Sequence, residues 1–347
     1  MKELKNIASK LLLRIPLIFF AMVIFDLAYV RWFWMDDIKK EAPVLNDVLA
    51  LQDSCQILYF GESSNFSYHP TRDSLHDRIS DFISYHLPNK RLGTVNSSAY
   101  HAGIFVPLIQ QIHKDSKVEA IIVTMNMRTF DQAVRHSELE SSLRKAAVMY
   151  APRPPLLNRL LVTLNYYDNT SAVDRDFEMW KDWTYDTLKS NDTSIRFEPN
   201  TIRRWCEVIK FPDSFGTEYM PKRALADHYI KAYAFQIDDE NPRVKDFDRI
   251  VAIAQEKNIK LVFNLLAENV EYADSLVGKN LVWLMQQNRD FLVDRYSKRG
   301  VLVVDNLQAV GGYHYTDQVW TTEHYDAVGR KIIAQSVADS MCIKFGW

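Results

Sequence analysis

The chain has 347 residues, with 42 lysines and arginines against 44 aspartates and glutamates, so its formal net charge at pH 7 is −2. This balance lacks the basic excess typical of nucleic-acid-binding proteins and excludes that class of partner from our predictions. Hydrophobic residues make up 47% and charged residues 25% of the chain, a composition typical of a folded globular protein. The three cysteines are isolated, with no CxxC pair, and predict no metal site.

The first 41 residues are predicted to form a cytoplasmic tail and a membrane anchor. Residues 11–35 are apolar enough to cross about 30 Å of hydrocarbon as one helix. No small-residue cleavage site follows them, which favours a retained anchor over a cleaved signal peptide. Basic residues precede the span and charges of both signs follow it, so we expect the amino terminus in the cytoplasm and the rest of the chain outside. The preceding basic residues are Lys2, Lys5, Lys10 and Arg14.

Asp26 is an acidic residue within the predicted span. A carboxylate is expensive in lipid, so it needs a polar partner or water. The sequence leaves three arrangements open: Asp26 lies near the headgroups, pairs with Arg31, or faces a partner membrane protein.

Residues 42–347 are predicted to form one α/β domain. Short apolar runs alternate with longer amphipathic stretches, which is typical of a mostly parallel sheet with helices on both faces, as in a three-layer flavodoxin-like fold. The predicted strands are 57–60, 92–95, 120–125, 261–266 and 301–304. The predicted helices are 73–86, 104–113, 245–257, 280–298 and 327–340.

Residues from about 149 to 241 interrupt this alternation and are predicted to form a helical insertion. The segment is rich in tryptophan, tyrosine and phenylalanine and shows no strand periodicity. Its aromatic side chains either fill a core of the insertion itself or stack on sugar rings of a substrate.

Three polar residues lie where active sites of open α/β sheets form, at or near the carboxyl edge. Ser63 follows the first strand in the turn Gly-Glu-Ser, a place that suits a nucleophilic hydroxyl. Asn126 follows the third strand and can either donate to an oxyanion or cap the next turn. His324 precedes the last helix and can act as a general base toward a serine.

In this order the three pieces resemble the SGNH/GDSL hydrolase superfamily. The segments YFGESS, VTMN and EHYDAVGRKIIA carry the resemblance, which spans nearly all of residues 55–340 outside the insertion. It implies that Ser63 is the nucleophile and His324 the general base. It also implies an oxyanion hole formed by the Ser63 N–H, Asn126 and a glycine after the second strand, for which Gly103 is the candidate.

The chain departs from the family pattern at three positions. Glu62 replaces the aspartate of the GDS turn, a conservative change that should leave the turn intact. The glycine block is ambiguous, because His101 can occupy the place we give to Gly103. The acid expected three residues before His324 is replaced by Thr321.

Asp317 or Glu323 can replace the missing acid, or a backbone carbonyl can orient His324. We prefer Asp317, since Glu323 adjoins the histidine and its side chain would tend to point elsewhere. Arg128, His101 and His69 lie near the proposed site in the sequence and are candidate substrate-binding residues.

Together with the predicted anchor and its orientation, the resemblance implies a membrane-anchored, extracytoplasmic serine esterase or O-acyltransferase. We expect it to remove or transfer a small acyl group, in the first place acetyl, on a cell-envelope glycan. Anchored SGNH-like proteins of this plan work beside membrane-bound O-acyltransferases, which makes such an enzyme a candidate partner. The reaction requires neither a metal nor an organic cofactor. The alternative is a non-catalytic glycan-binding or assembly protein, which the missing aspartate favours and the retained Ser63, Asn126 and His324 oppose.

Overall fold

The computed structural model describes residues 2–68, 73, 75–168, 170–190, 196–209, 219–317, 319–321 and 323–347. The strands are β1 Ile57–Gly61, β2 Leu92–Asn96, β3 Ala120–Met125, β4 Lys260–Leu265 and β5 Leu302–Asp305. The helices before β4 are α1 Lys2–Trp32, α2 Trp34–Glu41, α3 Val44–Leu51, α4 Ile79–His86, α5 Ala102–Gln110, α6 Gln132–Arg135, α7 Glu138–Tyr150, α8 Pro155–Thr163, α9 Ala172–Tyr185, α10 Ile202–Val208, α11 Tyr219–Tyr233 and α12 Pro242–Glu256. Those after β4 are α13 Val270–Leu276, α14 Lys279–Ser297 and α15 Ala327–Phe345.

The five strands form one parallel sheet in the order β2-β1-β3-β4-β5. This is the flavodoxin-like order, in which the parallel strands β1 and β3 are neighbours and later strands are added on the opposite side of β1 from β2. The loops that leave β1 and β3 therefore flank the crevice at the carboxyl edge of the sheet. The predicted α/β fold is confirmed, and each predicted strand agrees with an observed one to within about one residue at its ends.

Each face of the sheet buries its own apolar core. Phe60 points into a core shared with α5, α12 and α14, whereas Tyr59 points into one shared with α4 and α15. Successive side chains of a strand alternate between faces, and helices cover both of them here, so β1 reads as a continuous apolar run rather than an alternating one.

The helix predicted at 73–86 begins later, at Ile79. The reason is the buried guanidinium of Arg330, which pairs with the Asp73 carboxylate and binds backbone carbonyl groups before Ile79. Its Nε donates to the Asp77 carbonyl at 2.9 Å, and a second nitrogen donates to the Leu75 carbonyl. Since these contacts engage the backbone in tertiary hydrogen bonds, the amphipathic pattern overstates the helix.

The predicted insertion is helical in the residues that the structure describes between 149 and 241, where α8 to α11 follow one another. Its aromatic side chains divide into two groups. Phe197 and Trp205 are buried in the larger core, whereas Phe177 and Tyr185 are exposed over 57% and 66% of their surface. Both roles left open by the sequence therefore have candidate residues.

The amino-terminal helix α1 contains a 19-residue apolar segment, Arg14–Trp32, that is long and apolar enough to cross a membrane. Only 6% of that segment is buried by the rest of the protein. Its length and exposure agree with the predicted anchor, and its orientation stays a prediction.

Candidate active site

Ser63 lies at the end of β1, at the start of a short 3-10 turn, Ser63–Asn65. Glu62 precedes it in extended conformation, and its carboxylate accepts the Ser64 N–H at 3.2 Å. Gly61 is required because a Cβ there would lie 2.4 Å from Asn96 Oδ1 and 2.5 Å from the Tyr59 ring. The turn is thus built around the buried carboxylate of Glu62.

His324 lies across the crevice from Ser63, although 261 residues separate them in the sequence. Its Nε2 is 3.1 Å from Ser63 Oγ, within hydrogen-bond distance. Thr316 fixes the His324 backbone, because its N–H and its hydroxyl donate to the His324 carbonyl at 2.8 and 3.1 Å. The Tyr68 ring stacks on the imidazole with centroids 3.9 Å apart. The structure therefore brings together the predicted nucleophile and base.

Asp317 lies on the other side of the imidazole. Its Oδ2 is 3.8 Å from His324 Nδ1, a distance typical of an ion pair and longer than a hydrogen bond. Its side chain is largely buried, which strengthens a charge interaction across that gap. Of the two acids weighed from the sequence, Asp317 is the one that faces the histidine.

Glu323 adjoins His324 in the chain, but its carboxylate contacts other groups. It is paired with the Arg128 guanidinium, whose Nη2 lies 2.6 Å from Oε2 and whose Nε contacts Oε1. It also accepts a hydrogen bond of 2.9 Å from Asn126 Nδ2. Burial raises the pKa of Glu323, but the charge and hydrogen bonds of Arg128 outweigh it and hold that pKa below its usual value.

Asn126 follows β3 and is 5% exposed. Its Oδ1 accepts the Arg128 N–H at 2.9 Å, so it caps the next turn, while its Nδ2 donates to Glu323. The two roles that the sequence left open are therefore compatible. Nδ2 has two hydrogens, and Glu323 accepts one of them.

Gly103 and His101 belong to a different cluster. The Gly103 N–H donates to His101 Nδ1 at 3.1 Å, so the His101 side chain caps α5 and this N–H is engaged away from an oxyanion. His101 Nε2 lies 2.9 Å from Glu140 Oε2, and Arg243 contacts both His101 Nδ1 and Glu140. His101 is 4% exposed and therefore serves this buried network rather than a substrate.

The Arg128 guanidinium engages Glu323 through Nε and Nη2, and the Arg128 backbone N–H donates to Asn126 Oδ1. Its side chain is 26% exposed, so a role in substrate binding stays a prediction. His69 lies outside the described residues.

Two buried carboxyl groups at this edge were given no part in the chemistry by the sequence analysis. Glu62 is 4% exposed, and burial, followed by the nearby Glu323 carboxylate, raises its pKa. Glu268 follows β4 and accepts a hydrogen bond of 2.6 Å from the Tyr233 hydroxyl. Burial, and then Glu323, raise its pKa well above the usual value. The signal for Glu268 was its position just after a strand at the carboxyl edge.

The chain was compared with known proteins. No family model matches it, and no curated protein matches it. Among solved structures, it aligns with a carbohydrate acetylesterase family member from Sinorhizobium meliloti, with a TM-score of 0.35 and 9% sequence identity, over 84% of this chain and 99% of that one. Any functional proposal must therefore be argued from the geometry of the site itself.

Proposed function

We propose that this protein is a serine ester hydrolase or O-acyltransferase with Ser63 as its nucleophile. The observation that carries the proposal is the 3.1 Å separation of Ser63 Oγ and His324 Nε2, with Asp317 on the far side of the imidazole. A serine next to a base that is itself oriented by a third group is the arrangement that activates a hydroxyl for acyl transfer.

In the proposed reaction, His324 Nε2 takes the proton from Ser63 Oγ as the oxygen bonds to the acyl carbon. The tetrahedral intermediate collapses, the alcohol leaves with the proton held by His324, and an acyl-serine remains. Water or a sugar hydroxyl, deprotonated by His324, then attacks the acyl carbon and releases Ser63. Hydrolysis and transfer differ only in this second nucleophile.

The oxyanion would be stabilised by the Ser63 N–H, which begins the 3-10 turn, and by the second hydrogen of Asn126 Nδ2. Glu323 fixes the amide orientation by accepting the first hydrogen, and Arg128 fixes Glu323. A donor held in place before the reaction stabilises the transition state without reorganisation. We leave Gly103 out of this hole because its N–H donates to His101 Nδ1, the N-cap of α5.

Glu62 accounts for the second contact of Ser63, whose Oγ lies 2.9 Å from Glu62 Oε2. A hydroxyl has one proton and cannot donate it to Glu62 and His324 together. Burial raises the pKa of Glu62 and so favours its protonated form, and we propose that this form, when present, donates to Oγ. The serine proton is then directed to His324.

We further propose a small acyl group, in the first place acetyl, on a cell-envelope glycan as the substrate. Trp320, in the same loop as Asp317, is 54% exposed and lies 4.3 Å from the His228 ring of α11. An exposed indole three residues after Asp317 and four before His324 suits the apolar face of a sugar. The exposed apolar segment of α1 supports a membrane location. We further propose that the α/β domain lies on the extracytoplasmic side, because basic residues precede the span, and that a membrane-bound O-acyltransferase is the partner.

The 3.8 Å gap between Asp317 and His324 is the observation that favours the second candidate, a non-catalytic glycan-binding protein. Labelling of the detergent-solubilised full chain with a fluorophosphonate probe separates the two, because the probe reacts only with an activated serine. We expect labelling that disappears in Ser63→Ala and persists in Ser64→Ala, the matched control in the same turn. An unlabelled wild-type chain, or equal labelling of the Ser63→Ala variant, would refute the enzyme proposal.

A further inference from the structure

Helix α8, at the start of the insertion, packs directly against the apolar helix α1. The contact includes a hydrogen bond of 2.8 Å from the Leu156 N–H to Asp26 Oδ1. α8 begins with two prolines, Pro154 and Pro155, and has no side-chain cap of its own. Asp26 therefore satisfies a backbone donor of its first turn that the helix cannot satisfy internally.

This hydrogen bond fixes the depth of α8 relative to the span. Asp26 lies six residues before Trp32, the end of the apolar segment. At a rise of 1.5 Å per residue, this places Asp26 and the start of α8 about 9 Å inside the segment. None of the three arrangements considered from the sequence included this partner: the Asp26 carboxylate is bonded to a backbone N–H of the same chain.

The side of α8 next to α1 is apolar and open. The two helices enclose a groove of about 750 Å³, lined on α1 by residues that include Phe19, Met22 and Phe25 and on α8 by Leu156, Leu157 and Leu160. Leu160 is 52% exposed, and Leu164, one turn further on, is 68% exposed. Such an apolar surface is unfavourable in water.

The opposite side of α8 is polar or packed on the domain. Arg159 Nε lies 3.0 Å from Asp37 Oδ2, and its Nη1 lies 3.5 Å from Glu41 Oε1, both on α2. Asn158 and Val162 are buried. α8 thus has an apolar side that continues the apolar surface of the span and a charged side that contacts α2. This division is typical of a helix that lies at a membrane interface.

We propose that α8 is a second membrane-contacting element: its leucine side lies among the acyl chains of the leaflet next to the α/β domain, and lipid tails fill the groove against α1. The partner is the bilayer rather than a protein, because the polar group that a partner helix would recognise, Asp26, is already bonded to Leu156. The inference goes beyond the esterase function and rests on the proposed membrane anchor.

The test is fluorescence quenching by lipid-borne nitroxide in the full chain, reconstituted in phosphatidylcholine vesicles. Cys206 and Cys342 are replaced by serine, and the buried Cys55 is kept. A single cysteine carrying the fluorophore NBD is introduced by Leu160→Cys or Leu164→Cys. Phe25→Cys reports on the span, and Gln335→Cys on α15, across the sheet, is the aqueous control. With nitroxide on an upper acyl carbon, we expect α8 labels to show at least about half the quenching of the span label.

The controls separate this inference from the anchor. If the label at 25 is quenched while those at 160 and 164 match the label at 335, the inference is wrong and the anchor stands. If the label at 25 is also unquenched, both fail. Disulfide cross-linking of two Leu160→Cys chains, with the 160 label unquenched, would show that a second copy covers the groove and would equally overturn the proposal.

The role of Asp26 is tested in the same assay. Asp26→Asn keeps a side-chain oxygen that can accept the Leu156 N–H, whereas Asp26→Leu removes it. We expect quenching at position 160 to persist in Asp26→Asn and to fall in Asp26→Leu, with quenching at a span position such as 18 unchanged in both. Equal quenching at 160 in the two variants would show that this hydrogen bond does not hold α8 at its depth.

Discussion

Two buried histidines of this chain, His324 and His101, each lie beside a carboxylate, yet their surroundings give them different roles. His324 Nε2 faces a serine hydroxyl, and its carboxylate lies 3.8 Å away. His101 has Nδ1 occupied by the Gly103 N–H and Arg243, with Nε2 2.9 Å from Glu140. The comparison teaches that a histidine is available for proton transfer only where one ring nitrogen faces a group that must lose a proton.

Replacing each histidine by alanine should separate the two roles most strongly. We expect His324→Ala to lower kcat/KM for a small ester such as p-nitrophenyl acetate by about 10⁴-fold or more, with little change in stability. His101→Ala should destabilise the fold by about 2–4 kcal/mol, because Glu140 and Arg243 lose a buried partner. Urea unfolding and esterase assays on both variants check this, and the comparison is broken if His101→Ala loses activity while remaining folded.

Asn126, the proposed oxyanion donor, tests the catalytic role that we assign to the site around His324. Removal of one such donor costs about 100- to 1000-fold in rate. We expect Asn126→Ala to show a loss in that range, smaller than that of His324→Ala and mainly in kcat. Wild-type activity in Asn126→Ala would show that the amide bound to Glu323 has no part in the reaction.

Glu140 tests the structural role that we assign to His101 and its buried network. Burial raises its pKa, but the hydrogen bond with His101 and the charge of Arg243 outweigh burial and lower it to about 2, against 4.5 for an ordinary glutamate. A depressed carboxyl pKa stabilises the fold above pH 4.5, and that contribution is lost as the pH falls toward 2. Glu140→Gln should therefore cost about 3 kcal/mol at pH 7. In urea titrations its difference from the wild type should shrink between pH 4.5 and 2; a pH-independent difference would contradict this.

Asp317 should matter less than either catalytic partner. Where the acid hydrogen-bonds directly to the histidine, its replacement by the amide costs about 10⁴-fold, but here the gap is 3.8 Å. We expect Asp317→Asn to lower kcat/KM about ten-fold, with Glu323→Gln a smaller loss. A loss equal to that of His324→Ala would show that Asp317 moves into direct contact during the reaction.

Glu62→Gln should have the smallest effect. The amide can donate to Ser63 Oγ as a protonated carboxyl does, and its oxygen can still accept the Ser64 N–H. We expect activity within about three-fold of the wild type, and a clear loss in Glu62→Ala. A large loss in Glu62→Gln would mean that the ionised carboxylate is the active form.

Short sequence patterns were enough to predict the buried strands and the residues that follow them. The buried runs at β1 and β3 were recognisable because both faces of the sheet are covered, which makes parallel strands continuously apolar. Strand-end positions also singled out Ser63 and Asn126, since parallel strands carry their ends to one edge. The helix start at Ile79 was missed because Arg330, distant in the sequence, binds the preceding carbonyls.

What the sequence determined by itself was therefore the α/β alternation, the apolar amino-terminal segment and the set of polar residues that follow strands. Only the tertiary structure decided which of them meet: that Asp317 rather than Glu323 faces His324, that Glu323 holds Asn126, and that His101 belongs to the buried network. The physical reason is that a buried polar group must find a partner in three dimensions. That partner can be any residue that packing brings near the group, so the spacing of residues along the chain does not predict which one it is.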